Sequence, residues 1–375
     1  MELRNDKEKR AIVREKNADA KELLPGIDDD ITLAHITTKL AWRDIHILAS
    51  VSRAWRRAIQ SRQVYDARVR LGVTESFILI YHNFFQGIDD ISLCSMKDNC
   101  CHKLPPIASK FAPRVMRSKL VTLDGRVYLV GHDFRPYVLD LAGQRQWKQC
   151  SSRGAKRFDD LVSFECGIMD EKIYAFGSGW FTFEGARSQV YDLERQTCSF
   201  IKEIPSVRDT YQVAVVGDEL LVHGGYFVMS ENGAPKSAHQ NLDFYNPVKD
   251  AWRVVENLRG PVEQLFEAGG RLYSMSSVCI HVYDVHGNSW APQHLFSFSA
   301  ITRLDVEPIN ICAVGDELFA ILYLKRSEVS FLNRYCLVRS TGFNSQNKEL
   351  LWELAEFVGY SPGNFHSFNM CSIEL

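Results

Sequence analysis

Apolar residues recur at helical spacing between Leu24 and Arg70, whereas from Phe77 onward they fall in short runs cut by Gly, Asp and Asn. The pattern divides the chain near residues 70–76 into a helical part and a strand-rich part. Leu24-Pro25-Gly26 bars a helix before it, and Asp28, Asp29 and Asp30 then supply carboxylates where a first turn exposes unpaired N–H groups. Ile31, Ala34, His35 and Thr38 follow at i, i+3, i+4 and i+7, so a first helix is expected there, with Leu40 and Trp42 near its end. Asp44 is the expected cap of a second, short helix bearing Ile45, Ile47 and Leu48. Ser52 caps a third, in which Val51, Trp55, Ala58 and Ile59 share one face while Arg53, Arg56, Arg57 and Arg62 occupy the others. Three helices this short bury too little to stand alone, which points to a partner surface. Met1 to Leu23 mixes both charge signs with no sustained apolar face and reads as a disordered tail.

The strand-rich part is repetitive. Leu123-Asp124-Gly125-Arg126-Val127-Tyr128 superimposes on segments beginning at Met169, Val216, Ala268 and Val314, each a tight Gly/Asp turn between apolar runs. Their anchors at 124, 170, 217, 269 and 315 are spaced by 46, 47, 52 and 46 residues, the period of propeller blades. A second mark follows each turn: Leu139-Asp140, Tyr191-Asp192, Tyr245-Asn246 and Tyr283-Asp284, with Trp147, Cys198, Trp252 and Trp290 six or seven residues beyond. The same ruler laid from Ser95 reaches Cys101, which makes that cysteine a packing residue in a Trp position. Residues 77–106 hold three strands but lack the one before the turn, and residues 365–373 read as the missing strand. The expected fold is mainly β: a six-bladed propeller closed by its C-terminal strand and preceded by a three-helix module.

Composition narrows the function classes. Hydrophobic residues are 46% and charged residues 24% of 375, which fits a folded chain rather than a disordered one. A formal net charge of −2 provides no global field for nucleic acid or an anionic membrane. No stretch of 18 apolar residues supplies a membrane span, and the charged N-terminal segment lacks the apolar core of a secretory signal. The ten cysteines are therefore expected as reduced thiols in cytosol or nucleus. Cys100-Cys101-His102 lacks zinc spacing, and no CxxC occurs. Hydrolase, metalloprotease, P-loop and dinucleotide fingerprints are absent as well, so neither a catalytic residue nor a cofactor is expected. The enzyme alternative is a ligand set assembled in space from residues of separate repeats, which no spacing in the sequence would reveal. The arginines between Arg53 and Arg70 spread around helices whose apolar face must pack, and they read as solvated positive faces rather than an RNA site.

Leu24-Pro25, the acidic helix start, Ile31, Leu40, the Leu48-x-x-Val51-x-x-x-Trp55 run and the Arg-Arg-x-Ile after it resemble an F-box. The repeats resemble kelch units, with His223-Gly224-Gly225 keeping the Gly-Gly doublet. Together these segments resemble a plant-type F-box/kelch-repeat protein, with a tail at 1–23, an F-box at 24–70 and a propeller at 77–375. The resemblance implies a substrate receptor of an SCF-type cullin-RING ubiquitin ligase, docked on a Skp-type adaptor and through it on cullin. Leu24, Pro25, Ile27, Ile31, Ile36, Leu40, Leu48, Val51 and Trp55 would form the adaptor face or the core beneath it. Loops after the second strands carry Arg135, Trp180, Phe181, Phe183, Tyr226, Phe227 and Arg326, a mix suited to anchoring a target protein on the propeller rim. The alternatives are aromatics tucked against their own blades, a helical segment that merely caps the propeller, and a kelch-type scaffold without ligase coupling.

Overall fold

The computed structural model describes residues 22–375, apart from 85–89, 96, 98–99, 107–117, 132–133, 152, 155–160, 180–186, 206–207, 228–240, 257–263, 269–270, 276–278, 285–286, 288, 296–305, 315–316, 325–332, 345–348 and 362–365. An N-terminal helical module leads into a propeller-like ring of small antiparallel sheets. The module has four short helices where the sequence predicts three. Helix α1 (Asp29–Ile36) starts as expected: Asp28 accepts the Asp30 N–H at 2.8 Å, and Asp29 and Asp30 fill the first turn. Helix α2 (Trp42–Val51) begins earlier than expected, so Asp44 lies in its first turn instead of capping it. Ser52 does cap α3 (Arg53–Gln60), accepting the Trp55 N–H at 3.1 Å. The extra helix, α4 (Gln63–Arg70), follows because Arg62 adopts φ 70 and breaks the chain direction between two helical segments. Leu33, Ile45, Trp55, Ala58, Ile59 and Val64 form the module core. Leu23, placed by the sequence at the end of the tail, is buried among them.

Five sheets follow. One joins β1 (Ser76–Phe84), β2 (Asp90–Ser95) and β3 (Cys100–Lys103) with the last strand, β24 (His366–Glu374), in the order β24-β1-β2-β3. Three more are four-stranded meanders. These comprise β4 (Lys119–Leu123), β5 (Arg126–Val130), β6 (Tyr137–Asp140) and β7 (Trp147–Gln149); β8 (Leu161–Met169), β9 (Lys172–Gly179), β10 (Arg187–Asp192) and β11 (Thr197–Ile201); and β12 (Arg208–Val216), β13 (Glu219–Phe227), β14 (Leu242–Asn246) and β15 (Ala251–Val255). The fifth has eight strands. Its first meander is β16 (Gln264–Ala268), β17 (Arg271–Met275), β18 (Cys279–Asp284) and β19 (Ser289–Leu295); its second is β20 (Val306–Val314), β21 (Glu317–Leu324), β22 (Asn333–Asn344) and β23 (Glu349–Ser361). Five sheets thus stand where six separate blades are predicted, because the parallel pair Leu295↔Glu349 joins β19 to β23.

The repeated marks in the sequence occupy equivalent places in the sheets. The β4–β5 turn has Asp124 at φ 47 and Gly125 at φ 67, the double left-handed conformation that two-residue hairpins require. Tyr245 faces Trp252, Tyr283 faces Trp290, Leu139 faces Trp147 and Tyr191 faces Cys198 across the outer strand pairs. Two of these tryptophans also reach the preceding sheet: Trp147 Nε1 donates to Pro105 O at 2.8 Å and Trp252 Nε1 to Lys202 O at 3.0 Å. Cys94 faces Cys101 in the same way. The expectation of reduced thiols is corrected at this pair, which is a disulfide, because the register sets the two side chains directly opposite each other.

Candidate partner-docking surface

The helical module meets the sheets through a polar and aromatic joint. Helix α2 has no side-chain cap of its own, and Glu75, just before β1, supplies the acceptor: its Oε1 takes the Trp42 N–H at 2.8 Å and Arg68 Nη2 at 3.0 Å. The Arg68 Nη1 donates to Thr37 O at 2.6 Å and Leu40 O at 2.9 Å, so a buried guanidinium ties α4 to the turn between α1 and α2. Burial lowers the Arg68 pKa, and the Glu75 carboxylate pulls it back up. Trp42 is 6% exposed because its ring lies in one cluster with Phe77, Leu79, Leu139, Leu141 and Leu375 of the sheets.

Three further side chains complete the joint. The Arg145 guanidinium sits 4.0 Å over the Trp42 ring, and Phe77 packs on it with centroids 5.1 Å apart. His46, edge-on to Trp42 at 5.3 Å, is pushed down to about 3 by burial and then by the Arg145 cation, so it stays neutral near pH 7. Arg62 donates to Asp140 Oδ1 at 2.8 Å and to Asp124 O, and it stacks on Tyr65. Gly125 lies under that tyrosine: a Cβ there would come within 3.0 Å of Tyr65 Cε2 and 3.1 Å of the Ala142 Cβ.

The module also leaves apolar side chains in water. Ile27, Ile31, Ile47 and Val51 are 45, 54, 62 and 65% exposed, although side chains of this kind gain most from burial. Among the residues predicted for the adaptor, Ile27, Ile31, Val51 and Pro25 are thus at the surface. Ile36, Leu40 and Leu48 are half-buried against the module core, Leu24 is half-buried and paired with Ile27 in an isolated bridge, and Trp55 is a core residue at 2% exposure. Ile47, Val69 and Leu71 are exposed apolar residues of the module outside the set expected for the adaptor. The i, i+4 spacing of Ile47 to Val51 marks a shared apolar face, but a core stripe has the same spacing.

On the propeller rim, Arg135 is exposed beside the fully buried Phe134. Tyr226 and Phe227 end β13, paired with Asp209 and Arg208, and their side chains lie outside the described residues. Trp180, Phe181, Phe183 and Arg326 lie outside the described residues altogether. Burial raises the thiols of Cys166 and Cys312 and pushes Cys198 and Cys371 up to about 12, and all four pack in or against the apolar clusters of the sheets. Among the described residues no three His, Cys, Asp or Glu side chains form a group able to hold a metal ion, and no helix is long and apolar enough to cross a membrane. Comparison with protein-family models finds no match, and comparison with curated proteins finds none either.

Proposed function

We propose that this chain is the substrate-receptor subunit of an SCF-type cullin-RING ubiquitin ligase, its helical module acting as an F-box on a Skp-type adaptor and its propeller rim holding a target protein. The observation that carries the reading is the divided burial of the module. Trp42, Arg68 and Arg62 fix the module to the sheets, while Ile27, Ile31, Ile47, Val51, Val69 and Leu71 remain exposed to water. A segment that only capped the propeller needs the first set and gains nothing from the second. The reading assigns no covalent step to the chain: a receptor accelerates transfer by raising the local concentration of target lysines near the charged conjugating enzyme.

The propeller belongs to the same proposal as a six-bladed, kelch-type ring. The eight-stranded sheet divides at Leu295↔Glu349 into two meanders, each equal in strand number to the other sheets. The first strands of the meanders, β4, β8, β12, β16 and β20, neighbour one another in order, and β24 lies between β20 and β4. The strand β24 also pairs with β1 from Ser76↔Glu374 to Phe84↔His366, which supports closure by the last strand.

A second reading, a kelch-type scaffold without ligase coupling, is favoured by the strength of the joint, since a docked helical cap would show the same Trp42 and Glu75 contacts. Co-purification separates the two. A Skp-type adaptor is expected to co-purify with the wild-type chain and to be lost from Ile47→Asp/Val51→Asp, whose thermal unfolding stays within about 0.5 kcal/mol of wild type because both positions are exposed. A chain that retains no adaptor under any condition supports the scaffold.

A further inference from the structure

Helix α3 breaks an electrostatic rule on its solvent side. Its buried residues are Ala54, Trp55, Ala58 and Ile59, and its exposed ones are Arg53, Arg56, Arg57 and Gln60, which fall at i, i+3, i+4 and i+7 on one face. That face carries three cations and no acid. Arg53 and Arg56 lie in the first turn, where the helix dipole already presents its positive end, and Arg53 repels both Arg56 and Arg57 at like-charge spacing. Helix α1 follows the rule, with Asp29 and Asp30 in its first turn. No ion pair joins Arg53, Arg56 or Arg57 to a carboxylate among the described residues. Arg57 lies in the last turn, which favours a cation, and Arg56 has a backbone acceptor, but Arg53 adds a cost with no such partner among the described residues, and a local rule broken in this way marks a functional surface.

The cations adjoin apolar surface. Val51 ends α2 and precedes the Ser52 cap, and Arg56 Nε donates to Ala49 O at 3.1 Å, which lays its guanidinium against the last turn of α2. Ile47 and Val51 of that helix are exposed. We infer that the α2–α3 surface docks an acidic segment of a protein partner, with carboxylates meeting Arg53, Arg56 and Arg57 and apolar side chains covering Ile47 and Val51. The inference rests on the adaptor reading and names the chemistry of the adaptor's contact surface. Three arginines on two turns beside two aliphatic side chains suit a carboxylate-rimmed apolar contact better than a phosphate backbone, which needs a longer basic stripe.

The test is binding of the purified full chain to a purified Skp-type adaptor at 50 and 300 mM NaCl. Arg53→Glu places an acid in the first turn, where the helix dipole favours it, and Arg57→Glu places one in the last turn, where it does not, so the two changes offset and the variant should unfold near the wild-type temperature. It should nevertheless bind at least tenfold more weakly at 50 mM, mainly through a slower association rate, and should lose the salt dependence seen in the wild type. Adaptor binding that is unchanged by the substitution at both salt concentrations overturns the inference alone. Failure of the wild-type chain to bind any Skp-type adaptor overturns the ligase reading and this inference with it. Tighter binding of poly-U RNA than of adaptor, abolished by the same substitution, assigns the arginines to nucleic acid and also overturns it.

Discussion

The two sides of the helical module spend similar residue types in opposite ways. Facing the sheets, Trp42 and Arg68 are buried, and the contacts around them are specific: Glu75 serves two donors and Arg145 covers the Trp42 ring. Facing water, Ile47 and Val51 have no such cover, and Arg53 and Arg56 stand in the first turn of α3, where the helix dipole disfavours cations. The first side is built for stability and the second is stable in spite of its composition. Substitutions on the two sides should therefore separate stability from binding.

The largest effect is expected on the sheet side. Trp42→Ala empties a site shared by module and sheets and should lower stability by about 3–5 kcal/mol, read as a shift in the denaturant midpoint. An equally large effect from Ile47→Ala would erase the distinction between the two sides. Gly125→Ala should cost less, about 1–2 kcal/mol, because a side chain at φ +67 is strained and its Cβ would press on Tyr65. A loss beyond that would show that the Tyr65 contact does not relax.

The pH response sharpens the comparison further. His46 has a folded pKa below its unfolded one, so the unfolded chain binds the extra proton between about 6.5 and 3. Its contribution is complete above pH 6.5 and is lost progressively as pH falls toward 3. Urea titrations across pH 7 to 4 should show wild type losing stability more steeply than His46→Asn, the difference isolating this group from carboxylates titrating in the same range. Equal slopes would place His46 in water and remove the buried imidazole from the joint.

Much of the sheet architecture was legible because its signals are local. The Asp124-Gly125 turn needs left-handed residues, and the Tyr-to-Trp spacing maps onto cross-strand pairs such as Tyr245↔Trp252. Helices α1 and α3 were legible from Asp28 and Ser52 for the same reason. Helix α4 was not, since nothing in the residue type of Arg62 announces φ 70. The joint was invisible as well: Trp42 finds its acceptor 33 residues away at Glu75, and Arg145 reaches it from beyond β6. The exposed apolar set of the module was half legible. Apolar spacing names Ile31, Val51 and Trp55 alike, and only the packed structure separates the exposed pair from the core tryptophan.

The most direct measurement is hydrogen–deuterium exchange of the full chain with and without a saturating Skp-type adaptor. Docking on the uncovered side predicts new protection in peptides spanning residues 27–35 and 43–57, with exchange around Glu75 and β1 unchanged. Protection confined to the sheets, or none on adding an adaptor, would contradict the assignment of that side to a partner.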